Sequence, residues 1–210
     1  LLDDLSPVAR EIGAVNTVVV RDNRLVGYNT DATGFERAVS HLVKASSHGP
    51  VALIGAGGVG KAIAFALANS AVTDIRIFDS EPARAQNLAS LLQKHAGVIA
   101  TTDLDEALRG ATGLVNATPV GMLPNRDTPV APDKLHDRMW VADAVYSPLI
   151  TPLLSAARAK GARIMTGREL AIYQAADAFE LFTGLTPSTD VMGEAFDGVM
   201  AARSAAYHAA

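Results

Sequence analysis

The sequence predicts an α/β protein: a doubly wound, Rossmann-like parallel sheet joined to part of a second α/β unit. Three observations carry that expectation. Val51–Ile54 is a short apolar run leading straight into Gly55-Ala56-Gly57-Gly58-Val59-Gly60, a G-x-G-x-x-G turn. From there to about residue 167, short apolar segments alternate with amphipathic ones, the pattern of a parallel sheet covered on both faces. After Gly167 the alternation stops, and two long helical stretches follow with no strand between them.

Strand, tight turn and helix in that order favour a pyrophosphate at the turn. Gly55 allows the sharp bend, Gly57 lets backbone N–H groups approach phosphate oxygens, and Gly60 lets the helix pack close to the strand. The helix N-terminus adds unpaired donors and the positive end of its dipole. Ile75–Phe78 reads as the next strand, and Asp79 ends it. That is the spacing, about 20 residues on, of a ribose-binding acid. A carboxylate there accepts from the 2′- and 3′-hydroxyls and repels a 2′-phosphate, which favours NAD over NADP. The alternatives for Asp79 are a solvated acid or a helix cap ahead of Pro82. Arg84 is near enough in sequence to accommodate part of a phosphate.

In chain order, residues 1–10 read as the end of an element interrupted by Pro7. Leu1 is not an initiator, so an N-terminal portion is expected to precede it. Residues 15–20 and 25–28 form a hairpin closing near Asp22-Asn23. Asn29-Thr30-Asp31 opens a helix to about residue 45, and the polar stretch 46–50 is the expected boundary. Further helices are expected over 61–69, 83–95, 103–108 and 151–160, the second with Leu88, Leu91 and Leu92 on one face. Strands are expected over 98–100, 113–116, 140–143 and 163–165. Ligands in such sheets bind beyond the carboxyl ends of the strands. That rim collects 55–60, Asp79, 118–122, 143–146 and 166–167. Helices over 169–183 and 188–203 are expected to cross back to the first unit. The expected organisation is 1–30 as the remnant of a substrate-binding domain, 31–167 as the nucleotide-binding domain with its entry helix, and 168–210 as the returning helices.

Composition narrows the function. The chain has 210 residues, 49% hydrophobic and 19% charged, with ample material for a core. A net charge of −4 without a basic block offers nothing to nucleic acid or an anionic membrane surface. No apolar run is long enough to span a bilayer. Cysteine is absent, which removes disulfides, thiol catalysis and Cys-ligated metal. The histidines are scattered without ligand spacing, so no metal is expected. With no signal peptide in view, the Asn116-Ala117-Thr118 sequon reads as incidental and the cytoplasm is the expected location.

Gly13-Ala14-Val15-Asn16-Thr17 and Gly27-Tyr28-Asn29-Thr30-Asp31 with Gly34-Phe35 resemble the shikimate dehydrogenase family. So do the glycine turn, Asn116-Ala117-Thr118-Pro119 with Gly121-Met122, and Asp143 with Tyr146 and Pro148. Gln174-Ala175 with Ala178-Phe179 completes the pattern, in the family's order along essentially the whole chain. The acidic Asp79 is similar to that of the NAD-using quinate/shikimate dehydrogenases, whereas NADP-using biosynthetic members usually carry Asn-Arg-Thr/Ser there. The resemblance implies a two-domain enzyme with the active site in its cleft. Hydride passes between C3 of shikimate or quinate and C4 of the nicotinamide, giving 3-dehydroshikimate or 3-dehydroquinate. It implies that Asp31 is catalytic and binds substrate, with Asn16 and Gln174 as further substrate contacts and Tyr146 near the carboxylate. It implies that Thr118, Ala144 and Gly167 line the nicotinamide side. The family's catalytic Lys lies in an Asn-Val-Thr-x-Pro-x-Lys segment, with a carboxylate-binding Ser pair in the same upstream part. Neither is among these residues, and Lys44 and Lys61 do not match by motif. Either the chain is a fragment of an enzyme or it is a degenerate relative; with its abrupt start, both segments are expected upstream in a longer chain.

Each residue also has a plainer reading. Asp31 suits a helix N-cap. Asn16, in the first strand, can pair with an edge backbone group or join a buried network. Gln174 can be a solvated side chain, although Ala171, Ala175 and Ala178 around it point to a close approach by something else. Tyr146 can be core with its hydroxyl paired, and Thr118-Pro119 a loop stop. The alternatives to a shikimate or quinate dehydrogenase are a non-catalytic NAD-binding module and a dehydrogenase of a related cyclohexane substrate.

Overall fold

The computed structural model describes residues 2–44, 49–70, 72–95 and 97–208, with 204–208 by their backbone alone. Of the expected boundary over 46–50, residues 46–48 lie outside this set.

A three-stranded sheet, order β1-β3-β2, is built from β1 (Asp4–Leu5), β2 (Thr17–Arg21) and β3 (Arg24–Tyr28). β2 and β3 are antiparallel, and Arg21 pairs with Arg24 across a two-residue turn. Asp22 and Asn23 take φ of 49° and 61°. Left-handed values at both central residues match the right-handed twist of the strands, and Asp and Asn tolerate them best after glycine. Between β1 and β2 lies α1 (Pro7–Ile12), where the sequence reads as an interrupted end. Pro7 in fact starts this helix. Ser6 Oγ accepts from the Ala9 N–H at 3.2 Å, and proline fits the first helical position because its missing N–H has no partner there anyway.

The second sheet is parallel throughout, with order β6-β5-β4-β7-β8-β9. Its strands are β4 (Val51–Ile54), β5 (Ile75–Phe78), β6 (Val98–Thr101), β7 (Gly113–Asn116), β8 (Trp140–Asp143) and β9 (Arg163–Met165). The order reverses between β4 and β7, the switch point at which such sheets bind ligands. The remaining helices are α2 (Thr30–Lys44), α3 (Gly58–Ala68), α4 (Pro82–Leu91), α5 (Leu104–Leu108), α6 (Pro152–Ala159), α7 (Gly167–Thr183) and α8 (Thr189–His208). Alternation along β4 shows why both faces are covered. Val51 and Leu53 enter a core with Phe35, Ile63 and Leu88, while Ala52 and Ile54 enter another with Leu108, Met139 and Leu154. One expectation for α4 fails. Leu88 and Leu92 are buried, but Leu91 is 49% exposed. α4 ends there, above the edge strand β6, and the sheet has no further strand to cover that flank.

α2 and α7 touch backbone to backbone. A Cβ on Gly34 would stand 2.7 Å from the Gln174 backbone N, so only glycine permits this crossing. One turn on, Asp177 accepts from Thr33 Oγ1 and, at 2.7 Å, from Arg37 Nη1. The Arg37 guanidinium also lies 4.5 Å over the Tyr173 ring. α8 is clamped to α7 by Arg168, whose Nε and Nη2 donate to both carboxylate oxygens of Asp197 at 2.6 and 2.8 Å. Among the described residues, no helix is long and apolar enough to cross a membrane.

Candidate active site

The glycine turn leaves β4 at Gly55, whose φ of 98° suits glycine. α3 begins at Gly58, three residues before the expected start, with Gly57 as its cap residue and no side chain capping it. A Cβ on Gly60 would sit 2.1 Å from the Gly55 carbonyl oxygen, so helix and strand meet as closely as the motif requires. A Cβ on Gly57 or Gly58 would meet nothing within 4 Å. Uncapped N–H groups at the start of α3 thus face open space at Gly57 and Gly58, a cradle that fits a pyrophosphate.

Asp79 is 8% exposed, which excludes the solvated acid. Its Oδ2 accepts from the Ala56 N–H at 2.7 Å, and its Oδ1 from the Glu81 N–H at 2.9 Å. It therefore anchors the glycine turn, and each oxygen keeps a lone pair for a further donor. Arg84 is already engaged: its Nη2 lies 2.7 Å from Glu81 Oε1, on the exposed start of α4.

Beyond the switch point, Thr118 abuts the turn, with its Cγ2 2.8 Å from where a Gly55 Cβ would stand. Gly167 opens α7 against β8. A Cβ there would lie 2.6 Å from the Ala144 carbonyl oxygen and 2.5 Å from that of Val145. Beneath these residues is a buried polar network whose members Asn116 and Asp143 belong to the family pattern but receive no role from the sequence. Asn116 and Asp143 are register partners at the ends of β7 and β8, and both are fully buried. Asp143 accepts from Asn116 Nδ2 at 2.9 Å, the Val145 N–H at 3.0 Å and Thr151 Oγ1 at 2.7 Å. Burial outweighs these three bonds and pushes its pKa up to about 6. The one sequence signal is that two apolar strands end in polar residues which parallel pairing brings together.

On the other side of the molecule's chemistry, Asp31 lies in the first turn of α2 but does not cap it. Asn29 does, accepting the Ala32 N–H at its Oδ1, 3.2 Å away. Asp31 is half-buried, and burial raises its pKa while a hydrogen bond from Asn16 acts the other way. Asn16 sits one residue before β2 rather than within the strand. Its Oδ1 accepts the Thr30 N–H at 2.9 Å, and its Nδ2 donates to Thr30 Oγ1 at 3.1 Å. The Thr30 hydroxyl also reaches Gln174 Oε1 at 3.4 Å. Asn16, Asp31 and Gln174 thus converge on one turn of α2, and the close neighbour of Gln174 is Gly34.

Comparison with known proteins gives the arrangement its family. A family model described as Shikimate / quinate 5-dehydrogenase matches residues 37–122, and one described as Shikimate 5'-dehydrogenase C-terminal domain matches 167–195. The quinate/shikimate dehydrogenase (NAD(+)) of Corynebacterium efficiens is 44% identical over 202 residues, covering 93% of this chain and 71% of that protein. The chain belongs to the shikimate dehydrogenase family. The shikimate dehydrogenase (NADP(+)) of Pseudarthrobacter chlorophenolicus is 40% identical, covering 98% of this chain and 72% of its own. The quinate dehydrogenase of Corynebacterium glutamicum in complex with NAD superposes with a TM-score of 0.88 at 39% identity, over 94% of this chain and 72% of that one.

In this member of the shikimate dehydrogenase family, Tyr146 stands apart from the cluster around Thr30. It is 44% exposed, so it is not a core tyrosine, and its ring meets Phe196 of α8 edge-on at 6.0 Å. Asn116 of the sequon is buried and held by Asp143, not presented for modification.

Proposed function

We propose that this protein is an NAD-preferring dehydrogenase of shikimate or quinate, acting at the C3 hydroxyl. The observation that carries the reading is Asp31, a half-buried carboxylate beside Asn16 that the fold does not consume as a cap. In this reading 31–167 is the nucleotide-binding domain, and 1–30 with 168–210 belongs to the substrate side. Gly55, Ala56, Gly57, Gly58 and Val59 hold the pyrophosphate, Asp79 the adenosine ribose, and Thr118, Ala144 and Gly167 border the nicotinamide. When bound, the nicotinamide supplies the hydride acceptor. Asp31 accepts the hydroxyl proton at its carboxylate as the C3 carbonyl develops, and burial makes it a stronger base for that step. Asn16 and Gln174 bind ring hydroxyls, and Tyr146 borders the ring carboxylate. The buried negative charge of Asp79 supports NAD, because a 2′-phosphate brought to it is repelled and a diol is not.

The test is steady-state oxidation of shikimate and of quinate by the full-length protein with each cofactor. NAD-dependent turnover of at least one substrate, at higher kcat/KM than with NADP, is expected. A preference for NADP overturns the cofactor assignment. Nucleotide binding without turnover of either substrate favours a non-catalytic module or a related cyclohexane substrate.

A further inference from the structure

The hydrogen bonds at the head of α2 run in one direction, from the backbone through Asn16 to Asp31. A helix leaves its first N–H groups without partners inside it, and the first of α2, that of Thr30, is taken by Asn16 Oδ1 at 2.9 Å. A backbone N–H can only donate, so this bond settles which end of the Asn16 amide is oxygen, and Asp31 plays no part in it. The Thr17 hydroxyl joins the same oxygen at 3.0 Å. The N–H₂ therefore faces the other way, with one proton to Thr30 Oγ1 at 3.1 Å and one for the Asp31 carboxylate. Asp31 depends on that donor, because among the described residues no other group donates to its carboxylate. Ionisable groups on the neighbouring elements do not stand in for it. Asp177 and Tyr173 of α7 are engaged by Arg37, and Tyr28 of β3 by Arg21. Neither these nor Lys61 of α3 and Arg163 of β9 act on the Asp31 carboxyl, which burial and Asn16 pull in opposite senses.

We propose that Asn16 is a positioning residue for Asp31: held by the head of α2, it turns its N–H₂ onto the carboxylate and leaves the other lone pairs of Asp31 for the proton of the substrate hydroxyl. This rests on the reading above, in which Asp31 is the proton acceptor. Both amide protons of Asn16 are engaged, so a ring hydroxyl meets Asn16 by sharing the proton given to Asp31. Without that donor the half-buried carboxylate has nothing to offset burial, and it holds a proton to higher pH. A residue that only binds the ring has no such effect.

The test follows the Asp31 carboxyl carbon by NMR across pH in the full-length protein without nucleotide or substrate, its signal assigned with Asp31→Asn, alongside the acid limb of kcat/KM. In Asn16→Ala both the Asp31 titration and the acid limb shift to higher pH. Asn16→Asp shifts them further, because it lacks the N–H₂ and sets a like charge beside Asp31. The new carboxylate keeps the Thr30 and Thr17 donors, so the proton of the pair goes to Asp31. A lowered kcat/KM with the Asp31 titration unmoved marks Asn16 as a ring contact only and overturns the proposal. If Asn16→Ala does not fold, an unmoved titration in Asn16→Asp overturns it instead. An acid limb that persists in Asp31→Asn, or a wild type without turnover, overturns the functional reading together with this inference. An acid limb that belongs to Asp31 and stays in place in both Asn16 variants overturns this inference alone.

Discussion

Ala56 donates its backbone N–H to Asp79 Oδ2 at 2.7 Å, so the acid that closes β5 also shapes the turn that opens α3. One carboxylate thereby links the two halves of the nucleotide site, and its replacement acts on both.

Asp79→Asn keeps one acceptor for Ala56 but turns an N–H₂ toward the Glu81 N–H or the ribose. Affinity for NAD is expected to fall by about 1.5–3 kcal/mol, the range for hydrogen bonds to a charged group. NADP gains from the removed charge. Because Arg84 is held by Glu81, adding Glu81→Gln should move the preference further toward NADP, by releasing a guanidinium able to pair with the phosphate. The ratio of kcat/KM for the two cofactors across these three proteins checks this, and an unmoved ratio reduces Asp79 to a turn anchor.

Asp31→Asn and Asn29→Ala separate chemistry from capping. The first removes the proton acceptor, and kcat is expected to fall about 100-fold or more, the scale of lost general acid–base help. Its stability does not fall, because the carboxylate is held at a raised pKa by burial and caps nothing. The second removes the α2 cap and lowers stability by about 1 kcal/mol. Paired kcat and urea-denaturation measurements decide it. Loss of stability in Asp31→Asn with normal kcat would reverse the assignment.

Gly57→Ala and Gly60→Ala differ in kind. Gly57 has φ of −73° and open space at its Cβ, so alanine leaves the fold intact and can stabilise it by up to about 1 kcal/mol. The added methyl occupies the phosphate cradle, and NAD binding weakens. At Gly60 the methyl collides with the Gly55 carbonyl, and both stability and binding fall. Thermal melts with and without NAD tell the two patterns apart.

Asp143 also predicts a pH signature. Its folded pKa of about 6 lies above the unfolded 3.8, so the folded state holds the extra proton between these values. The favourable contribution is complete below about 3.8 and is lost as pH rises through about 6. Asp143→Asn cannot lose it. The variant should gain on wild type from about pH 4 to pH 6, and the difference should be flat above that. Denaturation midpoints across pH 4–8 provide the measurement, and a constant difference would place the carboxyl in a less buried setting.

The parts of this fold that local chemistry determines were readable in advance. The buried strands β4, β7 and β8 are apolar runs bounded by turn residues, and the glycine turn carries its own geometry. α1 was obscured because proline breaks a helix in its interior but starts one at its first position, and Ser6 was the clue. Leu91 follows the helical period, yet its exposure depends on β6 being an edge, which periodicity does not encode. Within the site, Asp31 and Asn29 stand two residues apart and both suit a cap, so only the folded backbone could assign that role. The Asn116–Asp143 pair depends on parallel register between segments 27 residues apart.

Gly34 has a consequence for how such a chain can be recombined. The six-stranded unit enters through α2 and leaves through α7, and these two leads are pressed together at a point with no room for a methyl group. A cassette cut from a relative to change nucleotide preference must therefore stop short of both helices or carry both. A new α2 with a side chain in place of Gly34, set against the resident α7, would separate Gln174 from Thr30 and unseat the turn that carries Asp31, which on the proposed reading changes ring recognition in an exchange meant only for the nucleotide.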